Sequence, residues 1–173
     1  MIVSKFAVIG PSDTSSFIQH SISSVNEVLR LLKRSCEHML TYQPAPILSI
    51  VPYKGIPVEA AKIYSQLGGE VHGLFDESLS NSRNFHRNKD HCAYLCKCPT
   101  SSTIEDYLIN YVDVILVFGV SYGTMKELLS NKVIHKSVFM FRQCISAFPL
   151  ELVTPLNIKI VSDVSDINWL SGD

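Results

Sequence analysis

The chain has 173 residues, 46% of them hydrophobic, which suits one compact domain with a sizeable core. Its 15 basic and 16 acidic residues nearly cancel, so neither nucleic acid nor an anionic membrane is expected as a partner. Five cysteines, an odd number, fit a reduced cytoplasmic setting better than a disulfide framework.

The amino-terminal stretch MIVSKFAVIG lacks the long apolar region of a signal peptide. Within it, KFAVIG at 5–10 is apolar nearly throughout, as a strand buried on both faces of a parallel sheet requires. The loop GPSDTSS follows, with Gly10 at the strand end and Ser12, Ser15 and Ser16 ahead of a helix. Hydroxyls and free backbone N–H groups at a helix start suit a phosphate; the plainer reading is that Ser12, Asp13 or Thr14 caps the helix. Ile18, Ile22, Val25, Leu29, Leu32, Cys36 and Met39 then recur at spacings of four and three. They draw one apolar stripe along a long helix, fit for a core or for an interface between copies.

PILSIV at 46–51 is the second strand, and VPYKGIP sets Lys54 and Gly55 at its end. The lysine can neutralise a phosphate or stand solvated in a turn, in a segment stiffened by Pro52 and Pro57. PVEAAKIYSQLGG reads as a helix that Gly68 and Gly69 end, and EVHGLFD at 70–76 as the third strand. Residues 77–100 read as an irregular, variable segment. Its stretch HRNKDHCAYLCKC gathers His86, His91, Cys92, Cys96 and Cys98. These are zinc-ligand types, but the paired Cys-x-x-Cys knuckles are absent and one short segment would have to supply a whole tetrahedron, so no metal is expected. His20, His38, His72 and His135 read as surface or interface residues.

STIEDYLINY is a short helix, VDVILVFG at 112–119 the most apolar strand, and TMKELLSN a further helix. The run VILVFGV is far short of the roughly 20 residues that span a bilayer. SVFMF at 137–141 and NIKIV at 157–161 complete the strands. This alternation predicts an α/β fold, a doubly wound, mainly parallel sheet with helices on both faces, Rossmann-like. Ligands in such sheets bind outside the carboxyl ends of the strands. There FGVSYGTMKEL at 118–128 brackets a strand-to-helix turn with Gly119 and Gly123, and places Glu127 in the first helical turn. The plainer reading is a Thr124-x-x-Glu127 capping box, a pattern that Ser102-x-x-Glu105 repeats.

Taken in order, these loops resemble the LONELY GUY (LOG) family and the wider LOG-like nucleotide-binding proteins, often labelled possible lysine decarboxylases. The family's Pro-Gly-Gly-x-Gly-Thr-x-x-Glu turn is matched at Gly119, Gly123, Thr124 and Glu127, with Phe118 and Val120 replacing the proline and second glycine and one residue added. FAVIGPSDTSS resembles the family's first strand and loop, and GIPVEAAKIYSQLGGEVHGLFD its alanine-rich helix and third strand. The resemblance implies one LOG-like domain over 1–173, needing no cofactor, that binds a nucleotide with its phosphate near Gly10 to Ser16 and Gly123 to Thr124, and a homodimer. It implies hydrolysis of the N-glycosidic bond of nucleoside 5'-monophosphates, with Glu127 as the essential carboxylate and Arg83 or Arg87 as the cationic helper. The departures suit an alternative, a nucleotide sensor without catalysis, and because fold does not fix function a scaffold subunit that keeps only the fold is a further one.

Overall fold

The computed structural model describes residues 5–13, 25–130, 133–144 and 148–167. Seven strands form one sheet: β1 (Lys5–Ile9), β2 (Ile47–Ile50), β3 (Val71–Phe75), β4 (Tyr94–Lys97), β5 (Val114–Val117), β6 (Ser137–Phe141) and β7 (Ile158–Val161). Their spatial order is β4-β3-β2-β1-β5-β6-β7, and every pairing is parallel. The helices are α1 (Val25–Met39), α2 (Ile56–Gln66), α3 (Glu77–Ser80), α4 (Arg83–Asn88), α5 (Ile104–Tyr111) and α6 (Tyr122–Leu128). The fold is thus the expected Rossmann-like α/β sheet.

The two faces of the sheet are filled by alternate residues of the same strands. Phe6, Val8, Leu48, Ile50 and Leu116 pack against Leu32 and Cys36 of α1 and Ala60 and Tyr64 of α2. Ala7, Ile9, Ile115, Val117 and Met140 pack against Leu108 and Ile109 of α5 and Leu128 of α6. With both faces covered, the central strands carry no polar alternation, which explains why KFAVI and VILV are apolar runs. The described part of the α1 stripe serves the core: Leu32, Cys36 and Met39 are buried, and Val25 and Leu29 pack at its margin. Ile18 and Ile22 lie outside the described residues.

One correction concerns residues 77–100, which hold two short helices and a strand. β4 extends the sheet at its edge, His72 to Phe75 pairing with Tyr94 to Lys97. Its residues, Tyr94 and Leu95 among them, are exposed apart from a half-buried Cys96, so the strand is not covered on both faces as the inner strands are. Among the described residues, no helix is long and apolar enough to cross a membrane.

The connections turn outward in opposite directions from β1. The chain builds β2, β3 and β4 on one side of it, then crosses back to build β5, β6 and β7 on the other. The carboxyl ends of β1 and β5 therefore border the crevice where strand order reverses, the usual ligand position in open α/β sheets.

Candidate functional site

At that crevice lies a cleft of about 160 Å³ lined by Gly10, Ser12, Val51, Tyr53, Lys54, Pro57, Ser121, Gly123, Thr124 and Glu127. Loops after β1, β2 and β5 all contribute. Of the residues expected at the site, Gly10, Ser12, Lys54, Gly123, Thr124 and Glu127 come together. Ser15 and Ser16 lie outside the described residues.

The β1 and β2 loops are locked to each other. Gly55 has φ 79° and ψ −151°, a conformation nearly restricted to glycine. A Cβ there would fall 2.2 Å from the Pro11 carbonyl oxygen and 2.4 Å from Ser12 Cα. The Ile56 N–H donates to that same Pro11 carbonyl at 3.1 Å. Gly55 is thus taken up by chain-to-chain packing and does not line the cleft, and the first amide of α2 is occupied. What the β2 loop presents is the exposed ammonium of Lys54, 5.6 Å from the Tyr53 ring centroid. Gly10 is similarly enclosed, since a Cβ on it would lie 3.1 Å from the Phe118 carbonyl oxygen and 3.2 Å from the Ile56 side chain.

The β5 loop is open. Gly119 has φ 110° and turns the chain without lining the cleft. Gly123 lies in the first turn of α6, where an added Cβ would find only Ser121 Oγ, 3.8 Å away. The helix cap differs from the Thr124–Glu127 box. Ser121 is the N-cap, its Oγ accepting from the Thr124 N–H at 3.2 Å and lying 3.0 Å from the Thr124 hydroxyl. Glu127 therefore sits in the second turn of α6. The same correction applies at α5, where Thr103 accepts from the Asp106 N–H in place of a Ser102–Glu105 pair.

Release from capping leaves the Glu127 carboxyl for the cleft. Burial first, and the charge of Glu105 second, push its pKa up to about 8. At neutral pH it is mostly a neutral acid able to donate a hydrogen bond.

Arg83 and Arg87 do not reach the cleft. Both lie exposed on α4, whose buried residues are Phe85 and Asn88. Phe85 packs 5.2 Å from the Phe75 ring, and Asn88 Nδ2 donates to the Tyr53 carbonyl at 2.7 Å. The segment after β3 thus braces the Tyr53–Lys54 loop through Asn88 and turns its arginines to solvent. Neither Asn88 nor Ser121 was singled out from sequence, although serine is a favoured N-cap residue.

The cysteine and histidine segment is also dispersed. Cys98 Sγ donates to the Ser102 carbonyl at 3.4 Å, and Cys96 Sγ lies 3.4 Å from the Tyr111 hydroxyl. Among the described residues, no three histidine, cysteine or acidic side chains gather to hold a metal ion.

No protein-family model matches the chain, and no curated protein matches it either. Solved structures do. The molybdenum cofactor carrier protein of Chlamydomonas reinhardtii aligns with a TM-score of 0.68 at 17% identity, over 94% of this chain and 92% of that one. The molybdenum cofactor binding protein of Rippkaea orientalis aligns at 0.67 and 16% identity, over 96% and 93%. DNA processing protein A of Streptococcus pneumoniae aligns at 0.62 and 13% identity, over 95% of this chain and 60% of that one. The shared property is the Rossmann-like fold. Proteins as unlike as a cofactor carrier and a DNA processing protein are built on it, so function has to be argued from the cleft.

Proposed function

We propose that the chain binds the phosphorylated end of a small molecule of the nucleotide type and holds it without cleaving it. One observation carries the reading. Gly10, Ser12, Lys54, Ser121, Gly123, Thr124 and Glu127 converge on a cleft at the strand-order reversal. At about 160 Å³ it is smaller than the roughly 300 Å³ at which small-molecule pockets begin. It fits a phosphate and part of a sugar better than a whole nucleotide. Lys54 supplies the charge and the hydroxyls supply hydrogen bonds.

Two features favour holding over hydrolysis. Among the described residues no arginine lines the cleft. With its pKa near 8, Glu127 offers at neutral pH a neutral carboxyl, which cannot stabilise the cationic sugar of a glycosidic transition state as a carboxylate does. The Chlamydomonas and Rippkaea proteins are named as carrier and binding protein for a cofactor, which supports carriage and puts molybdenum cofactor among the ligands to test. The LOG-like hydrolase remains the second reading because Glu127, at the family's catalytic position, does line the cleft.

The test is a melting-temperature screen with nucleoside monophosphates, ribose 5-phosphate, molybdenum cofactor and inorganic phosphate, paired with chromatography for released base. A phosphorylated compound should raise the melting temperature by mass action, Lys54→Ala should weaken that rise, and no base should appear. If no phosphorylated compound shifts melting, the binding reading fails; base release would instead favour the hydrolase.

A further inference from the structure

Away from the cleft, near the amino ends of β1 and β3, four side chains form a continuous hydrogen-bonded chain. Glu70 Oε1 lies 2.7 Å from His72 Nε2, His72 Nδ1 lies 2.8 Å from the Tyr111 hydroxyl, and that hydroxyl lies 3.4 Å from Cys96 Sγ. The chemistry of the partners gives the chain a direction. A carboxylate only accepts, so Nε2 carries the hydrogen and Nδ1 of the neutral ring is an acceptor. Tyr111 therefore donates to Nδ1, and its oxygen accepts from the Cys96 S–H.

The fold holds this arrangement in place. His72 lies opposite Tyr94 and Leu74 opposite Cys96 in the β3–β4 ladder. The Tyr94 ring meets His72 edge-on at 5.1 Å, and Lys5 Nζ sits 3.8 Å from the Tyr111 ring centroid. Burial above all raises the Tyr111 pKa. The phenol thus stays protonated and passes a proton on without holding a negative charge. At the outer end Glu70 is half exposed to solvent.

We propose that Cys96 is a nucleophilic thiol served by a Tyr111–His72–Glu70 proton relay, and is the site at which this chain is modified by soft electrophiles such as α,β-unsaturated carbonyl compounds. The Cys96 proton passes to the Tyr111 oxygen as the Tyr111 proton passes to His72 Nδ1. A thiolate then faces a hydroxyl donor, and an imidazolium faces the Glu70 carboxylate. The sulfur electron pair forms the S–C bond at the β-carbon of the electrophile, the C=C pair moves onto the α-carbon and carbonyl, and the proton held on His72 returns through Tyr111 to the α-carbon. No oxidant or reductant takes part. With iodoacetamide the S–C bond forms as C–I breaks, and iodide leaves.

The other cysteines supply internal controls. Burial pushes Cys36, Cys92 and Cys144 up to about 12, with Glu37 adding at Cys36 and Asp90 at Cys92. Burial, then the charges of Asp76 and Glu105, also raise Cys98.

The experiment treats the full chain with limiting iodoacetamide at pH 7 and follows each cysteine by peptide mass spectrometry. Cys96 should label at least about tenfold faster than Cys92 or Cys98, and Tyr111→Phe and His72→Gln should each slow Cys96 about tenfold without changing the others. Tyr107→Phe removes a hydroxyl from the ring packed 5.8 Å from Tyr111 but outside the relay; it should leave the Cys96 rate as it was. Cys96 labelling at the pace of Cys92 and Cys98 overturns the proposal, as does Tyr107→Phe slowing it as much as Tyr111→Phe. Should Tyr111→Phe also speed the buried Cys36 and Cys144, the fold has loosened and His72→Gln decides: an unchanged Cys96 rate in that variant overturns the relay.

Discussion

The loops after β2 and β5 each lead from a buried strand through a glycine into a helix, yet their glycines meet opposite surroundings. Around Gly55 the backbone of Pro11 and Ser12 leaves no space, and φ is positive. Around Gly123 a Cβ would find open cleft. The first glycine joins two loops into one wall; the second keeps the other wall back. A ligand site needs both a rigid frame and a gap, and here the two demands fall on different loops. The difference can be tested by filling each position in turn and by altering the carboxyl between them.

The largest effect is expected from Gly55→Ala. An L-residue in that conformation is strained by roughly 1–3 kcal/mol, and relieving the overlap with Pro11 and Ser12 moves backbone, an overpacking cost of a further roughly 1–3 kcal/mol. A loss of about 4 kcal/mol is expected, read as a lower urea midpoint at unchanged slope. A loss under about 1 kcal/mol, the ordinary range for an exposed turn, would show that the two loops are not locked together.

Next comes Glu127→Gln, whose effect depends on pH. The folded-state pKa of Glu127, near 8, stands above the unfolded value of 4.5. Between those values the folded protein holds a proton that the unfolded chain has released, so wild-type stability falls as pH rises through this window. Glutamine does not titrate. The variant should gain on the wild type by roughly 2 kcal/mol between pH 5 and pH 8.5, a part of the full linkage because the carboxyl is only partly buried. Urea midpoints of both proteins at the two pH values give the difference. A constant difference would mean that the carboxyl is solvated and available as an ordinary ionised group, which revives the hydrolase.

The comparison also shows which parts of this molecule a sequence reader can see. The inner strands are legible because a strand covered on both faces must be apolar throughout, and KFAVI and VILV are. β4 is not, since an exposed edge strand such as YLCK obeys no such rule. The cleft was legible at the level of loops, because strand order places them at one end of the sheet. It was not legible at the level of individual glycines. Nothing within VPYKGIP says that Pro11 will lie against Gly55, and nothing near the arginines of α4 says that Phe85 and Asn88 will be the residues turned inward. The cap at Ser121 was hidden by a competing pattern one turn later. His72, read as a surface or interface residue, meets Tyr111 through a contact spanning 39 residues.

The smallest effect on stability, and the sharpest test of the open wall, is Gly123→Ala. Gly123 occupies a helical turn, where alanine is preferred by up to about 1 kcal/mol. The added methyl meets nothing closer than Ser121 Oγ at 3.8 Å. The variant should therefore melt at or slightly above the wild-type temperature, opposite in sign to Gly55→Ala. Its cost should appear only when a ligand is present: the methyl narrows a cleft of about 160 Å³, so a phosphorylated compound that raises the wild-type melting temperature should raise that of the variant less. If the variant instead loses stability without ligand, the gap at Gly123 is filled by the protein itself and the two loops do not differ. If it melts as expected but responds to the ligand as the wild type does, the ligand sits elsewhere than against α6.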